Sequence, residues 1–191
     1  GEHQEGVGYY QATVGNGRRS SAAIGYLRPA ESRPNLTVVP NAFTHKITIE
    51  NGRAIGAVFT ADSQATEIRC NKEVIVSCGS INSPQLLMLS GIGPREHLQK
   101  FGIPVIVDSP QVGKNLQDHL QLRITYRLNK PISFNDQYHS YLEKIKIGME
   151  YYIKRSGPMA YPTAQVGLFT RSSPLIDTPD IQYHFSNYTI D

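Results

Sequence analysis

Two groups of residues in this 191-residue chain have the types and spacing to act on a ligand. The first is Ser77-Cys78-Gly79, which closes the apolar run Val74-Ile75-Val76 and precedes a helix-like segment. A glycine at such a turn has no Cβ, so a ligand can approach the backbone closely. The amides at the start of a helix then favour a phosphate or another anion. Tight packing of strand against helix would ask for the same glycine. Further on, Gly91-Ile92-Gly93-Pro94 is a second turn able to present amides to a phosphate, including that of a DNA backbone. The second group is Asn115, Asp118 and His119. Histidine can take a proton from a hydroxyl, and a neighbouring carboxylate can tune it. The same three residues also suit a hydrogen-bonded turn, which is the preferred expectation. Gln121, two positions beyond His119, offers a neutral amide and no Coulomb attraction to a cation.

The elements that must hold these residues are readable from the pattern. Ser20 to Leu27 is a short helical candidate ended before Pro29, and Leu36 to Val39 reads as a strand. His45 to Glu50 and Ala54 to Thr60 are strand-like and are separated by Asn51-Gly52, a strong hairpin signal. Thr66 to Cys70 is expected to add a third strand. Val74-Ile75-Val76 suits a strand buried on both faces, as in a parallel sheet. Asn82 or Ser83 is expected to cap a helix starting at Pro84 and ending at Gly91. Pro94 starts another short helix, ended by Gly102, and Val105 to Val107 reads as a strand. Leu122 to Leu128 alternates like a strand. Tyr138 to Arg155 is the clearest helix, with Tyr138, Tyr141, Leu142, Ile145, Met149, Tyr152 and Ile153 on one stripe expected to face a core. Val166 to Thr170 and Ile181 to Phe185 are the last strand candidates.

Composition narrows the classes. With 39% hydrophobic and 18% charged residues the chain reads as globular. A net charge of +3 is too small an excess to argue for nucleic acid by itself. No apolar window is long enough for a membrane span. Cys70 and Cys78 lack metal-ligand spacing and read as buried free thiols of a reducing compartment. The expected location is cytoplasmic, or peripheral to the inner face of a membrane. The opening GEHQEGVGYYQ has neither Met nor a signal pattern and is expected to lie inside a longer protein.

The run Gly79-Ser80-Ile81-Asn82-Ser83-Pro84-Gln85-Leu86-Leu87-Met88-Leu89-Ser90-Gly91-Ile92-Gly93 resembles, position by position, the second signature of the glucose–methanol–choline (GMC) oxidoreductases. Gly6 to Gln11, Asn16 to Ala22, Arg33 to Val38, Pro104 to Asp108, Val112 to His119 and Asp180 to Phe185 resemble flanking segments of the choline dehydrogenase-like branch. The resemblance covers nearly the whole chain. It implies an α/β and α+β architecture: part of a Rossmann-like FAD-binding domain with a β-meander, and part of an antiparallel-sheet substrate domain. The implied boundaries are a linking segment over 1–35, FAD-domain sequence over 36–120 and substrate-domain sequence over 121–191.

The resemblance also implies an alcohol substrate oxidised to a carbonyl by hydride transfer to FAD. It places the backbone of Thr44 at the adenine, and Ser77, Cys78 and Gly79 beside the dinucleotide. In choline-oxidising members the position of Gln121 carries a carboxylate that pairs with trimethylammonium; the neutral amide here leaves the alcohol open. The family's catalytic histidine corresponds to no position of this chain. No GxGxxG follows a strand, so the pyrophosphate cradle is expected elsewhere. The chain alone is therefore expected neither to hold FAD tightly nor to turn over alcohol. The alternative is a non-enzymatic module resembling a helix-hairpin-helix, gripping DNA through GIGP. Only Arg95 and Lys100 are cationic nearby, where affinity would need several charges.

Overall fold

The computed structural model describes residues 3–189. The chain separates into two compact units, one made of residues 1–36 with 122–191 and the other of residues 37–121.

The first unit is built on an antiparallel three-stranded sheet. Its elements begin with β1 (Gly6–Tyr9), the short ribbon β2 (Val14–Gly15) and β3 (Arg18–Arg19), and a π-helical turn Ala23–Leu27 running into α1 (Arg28–Ala30). The expected stop before Pro29 does not occur. Pro29 sits in the first turn of α1, where its missing amide costs nothing.

The second unit contains β4 (Phe43–Glu50), β5 (Arg53–Ala61) and β6 (Gln64–Arg69), then α2 (Gly79–Leu89), β7 (Ile92–Gly93), α3 (Arg95–Lys100) and β8 (Val107–Asp108). The meander β4-β5-β6 is antiparallel throughout. Both hairpin turns place two consecutive residues at positive φ: Asn51 and Gly52 in one, Asp62 and Ser63 in the other. That backbone matches the right-handed twist of the flanking strands, which is why Asn-Gly was a reliable signal. β7 and β8 pair in parallel, Ile92 with Val107 and Gly93 with Asp108. Leu98 is fully buried, and Ile47 and Leu86 nearly so.

The first unit resumes with α4 (Phe134–Tyr138), α5 (Tyr141–Lys154), a 3₁₀ turn Pro158–Ala160, β9 (Ala164–Thr170) and β10 (Ile181–Ser186). β9 is the central strand between β1 and β10. Residues 6–9, expected to be turn-rich linking sequence, thus supply a strand, with Gly8 opposite Gly167. Gly167 is needed there, because a Cβ would collide with the Tyr10 ring. Tyr10 stacks on His184 at 5.1 Å, and its hydroxyl donates to the Tyr183 carbonyl at 3.1 Å.

Several expected elements differ. Leu36 to Val39, Val74 to Val76 and Leu122 to Leu128 form no ladder with any described residue. They carry strand-like sequence without a neighbour to pair with, and Ile75 and Leu122 are 78% and 85% exposed. The expected helix over 138–155 is α5 over 141–154, and Tyr138 ends the separate short helix α4. Ser133 and Asp136 form a capping box for α4, and Ser140 accepts from the Glu143 amide to start α5. Its apolar stripe is exposed, not core: Leu142, Ile145, Met149 and Tyr152 all face outward. The half-buried side of α5 is instead Glu143, Ile147, Gly148 and Tyr151. Among the described residues no helix is long and apolar enough to cross a membrane.

Candidate functional site

Ser77, Cys78 and Gly79 form one exposed turn at the start of α2. The helix does not begin at Pro84; it begins at Gly79, and Pro84 lies inside it. Gly79 explains the early start. Its φ of +86° redirects the chain out of the preceding extended run, a conformation that costs an L-residue roughly 1–2 kcal/mol. Nothing lies within 4 Å of where its Cβ would be. The glycine is thus required by backbone conformation and opens onto free space, which excludes tight strand–helix packing as its reason.

Ser83 does not cap the helix from outside. It reaches back from within the first turns, and its Oγ accepts the Cys78 amide at 3.0 Å. The amides of Gly79, Ser80 and Ile81 belong to the first turn, which has no intrahelical acceptors. The turn therefore presents three exposed donors at the positive end of an 11-residue helix, a donor set suited to an anionic or dipolar ligand. Cys78 is exposed, which corrects the expectation of two buried thiols; Cys70 is half-buried, with its thiol 3.9 Å from the Ala54 carbonyl.

Thr44 lies on β4, opposite Phe59, beside a register break between Thr44 and Lys46. β4 is an edge strand of the meander, so backbone groups on its outer side are available for other partners. One is taken within the unit. Ser90, 5% exposed at the end of α2, accepts the Ile47 amide at 2.8 Å and donates to the Leu86 carbonyl at 2.6 Å. The C-terminal end of α2 is therefore pinned to β4 close to Thr44. Gly79 lies at the other end of the helix, about 16 Å along its axis. The structure shows no contact between Thr44 and the Gly79 turn; a single ligand touching both would have to be extended. Ser83 and Ser90 are polar residues whose parts in this arrangement the sequence pattern did not reveal. A serine four residues after a helical carbonyl was the available signal for Ser90.

The Gly91–Pro94 turn is an internal joint. Ser90, Gly91 and Gly93 are buried. A Cβ on Gly91, whose φ is +84°, would lie 2.6 Å from the Pro104 carbonyl. The Gly91 carbonyl accepts the amides of Ile106 and Val107, and the Arg95 amide that opens α3 donates to Asp108 Oδ1 at 3.1 Å. A carboxylate already occupies the place a phosphate would need.

Asn115, Asp118 and His119 are exposed. Asn115 has φ +59° and donates to Gln111 Oε1 at 3.1 Å, while Asp118 Oδ1 accepts the His119 amide at 2.8 Å. Asp118 holds the backbone of His119, not its ring, so the pair is not arranged as a tuned base. Gln121 is exposed. Among the described residues no cluster could hold a metal ion.

The sequence pattern of the GMC oxidoreductases matches residues 1–121. The chain is 44% identical over 185 residues to an oxygen-dependent choline dehydrogenase of Brucella canis, covering 97% of this chain and 33% of that protein. It is 43% identical over 185 residues to the mitochondrial choline dehydrogenase of Homo sapiens, covering 97% of this chain and 31% of that protein. It thus spans about a third of the length of these curated relatives. A solved FAD-dependent oxidoreductase from Chaetomium thermophilum superposes with a TM-score of 0.78 at 27% identity, over 86% of this chain and 30% of that one. Two independent similarities, in sequence and in fold, converge on one assignment, and the chain belongs to the GMC oxidoreductase family.

Proposed function

We propose that this chain is part of an FAD-dependent enzyme that oxidises an alcohol to a carbonyl. Residues 36–120 contribute to holding FAD and residues 121–191 to the substrate domain, which residues 6–9, expected within a linking segment, extend by one strand. The near-coincidence of these boundaries with the compact unit over 37–121 supports the division. The observation that carries the reading is Gly79: a positive-φ glycine that opens onto free space and leads into three unpaired first-turn amides. The turn Ser77-Cys78-Gly79 would hold the dinucleotide, with the Gly79 and Ser80 amides donating to its oxygens. The exposed edge of β4 at Thr44 would read the adenine through backbone groups, which needs no particular side chain. When bound, FAD supplies the two-electron acceptor for hydride leaving the alcohol carbon. Gln121 would face the alcohol as a neutral hydrogen-bonding amide; with no carboxylate at that position, a quaternary ammonium gains no ion pair there. The proton acceptor for the alcohol hydroxyl is not among the residues brought together here. A cytoplasmic or inner-face peripheral location fits two free thiols.

Isotope-labelled chain titrated with FAD to millimolar levels tests this. Weak, non-stoichiometric binding is expected, with amide shifts concentrated at Thr44 and Ser77–Ile81, and these shifts should fade in Gly79→Ala. Shifts spread over other residues, or none, would refute the assignment. The DNA-binding alternative has the Asp108 carboxylate against it, since Asp108 occupies the Arg95 amide.

A further inference from the structure

Ser83 and Ser90 lie two helical turns apart on α2, on one face of it. Each makes one bond that leaves the body of the helix. Ser83 Oγ accepts the Cys78 amide at 3.0 Å and ties the Ser77–Gly79 turn to the helix. Ser90 Oγ accepts the Ile47 amide at 2.8 Å and ties the helix to β4. We propose that α2 is a fixed spacer between two half-sites for one dinucleotide, and that Ser83 and Ser90 are the positioning residues that set their separation. The inference rests on the flavin reading above, which assigns the turn and Thr44 to the same ligand.

Three observations carry it. First, the half-sites are built independently. Thr44 belongs to a strand that pairs with β5 from Phe43 to Glu50, and the amides of Gly79 to Ile81 open an 11-residue helix. Neither needs the other to keep its shape, so only their relation depends on a link. Second, that link is specific. Among the described residues, Ile47 to Ser90 is the one hydrogen bond joining β4 to α2. Ile47 and Leu86 are buried as well, but apolar contacts can slide where a directed bond fixes the register. The Ser90 hydroxyl is held on both sides, since it also donates to the Leu86 carbonyl at 2.6 Å. Third, the helix sets the reach. The Gly79 turn lies about 16 Å along the axis from Ser90. A ligand long enough to touch both ends meets the second half-site as an intramolecular event, and that gain requires a fixed separation. The two serines touch no ligand themselves; they act through the Cys78 and Ile47 amides.

Isotope-labelled 191-residue chain titrated separately with AMP and with FAD, read by amide shifts, tests the inference. AMP carries the adenine but is too short to span the helix. It should shift Thr44 and its neighbours alone, whereas FAD should shift both Thr44 and Ser77–Ile81 and bind about tenfold more tightly. Ser90→Ala should bring FAD down to the affinity of AMP while leaving AMP within about twofold. Ser83→Ala should do the same. The double variant should be no worse than either, because one lost link already uncouples the half-sites. Ser83 is half-buried, so its variant decides the matter even if Ser90→Ala fails to fold. Equal losses for AMP and FAD overturn the inference, because the serines then serve stability alone. So do an unchanged FAD affinity in Ser83→Ala and losses that add in the double variant. FAD that shifts neither region of the unsubstituted chain removes the flavin reading instead, and the inference with it.

Discussion

Replacing Ser90 by alanine removes a hydroxyl that serves two partners, and the two losses are unequal. The Leu86 carbonyl keeps another donor, because it also accepts the Ser90 amide at 3.1 Å. The Ile47 amide keeps none within reach. It belongs to a residue only 6% exposed, on the side of β4 turned toward α2. Leaving a buried donor unpaired costs about 1–3 kcal/mol, so Ser90→Ala should destabilise the unit over 37–121 by about 2 kcal/mol. For a unit of this size that lowers the melting midpoint by roughly 10 °C. The sharper assay is amide hydrogen exchange. Protection of Ile47 should fall roughly thirtyfold, since about 1.4 kcal/mol is tenfold. Amides at the β5–β6 ladder, such as Thr66 and Ile68, should change only as far as global stability changes. If Ile47 keeps its protection in Ser90→Ala, the helix is not pinned to the strand through this hydroxyl, and the account of why α2 sits on β4 fails.

Two further outcomes follow from the same structure. Gly91→Ala combines a left-handed backbone with a Cβ 2.6 Å from the Pro104 carbonyl, and should cost roughly 3 kcal/mol; a circular-dichroism melt that does not move would contradict the packing of the α2–β7 joint. Asp180 lies below its usual pKa because Ser172 donates to it through both hydroxyl and amide, at 2.6 and 2.7 Å. A depressed carboxylate stabilises the fold above its unfolded value and loses that contribution as pH falls through the folded one. The β9–β10 connection should therefore loosen below the ordinary Asp range near 3.8, as read by exchange of the Ser172 amide, and Asp180→Asn should abolish that pH dependence.

Local chemistry made part of this fold legible in the sequence, and missing neighbours hid the rest. Asn51-Gly52 announces its hairpin because the turn needs two positive φ values that few other residue pairs supply. Gly91 and Gly102 end their helices at positive φ as expected. Capping signals at Ser133–Asp136 and Ser140–Glu143 were present but were masked by the apolar period that runs through them. Pro84 suggests a helix start because proline prefers a first turn; Gly79 and the back-reaching Ser83 hydroxyl override that preference. Leu36–Val39, Val74–Val76 and Leu122–Leu128 have strand sequences but no ladder, because a strand pattern states that a partner is needed and not where it comes from. The same holds for the apolar stripe of α5. At the candidate site, the glycine turn was visible in the sequence, but the pinning of α2 to β4 was not. Ser90 meets an amide 43 positions away in the chain, and no local spacing connects them.

The meander has a consequence for the order in which this chain acquires structure. Its pairings join neighbours in sequence through two tight turns, and contacts of that kind form on a microsecond scale. The three unladdered apolar ribbons present bare amides and carbonyls beside exposed Val, Ile and Leu side chains. Such edges pair with whatever strand arrives first. The meander is thus an early-formed anchor, while the ribbons set the chain's traffic with other polypeptide.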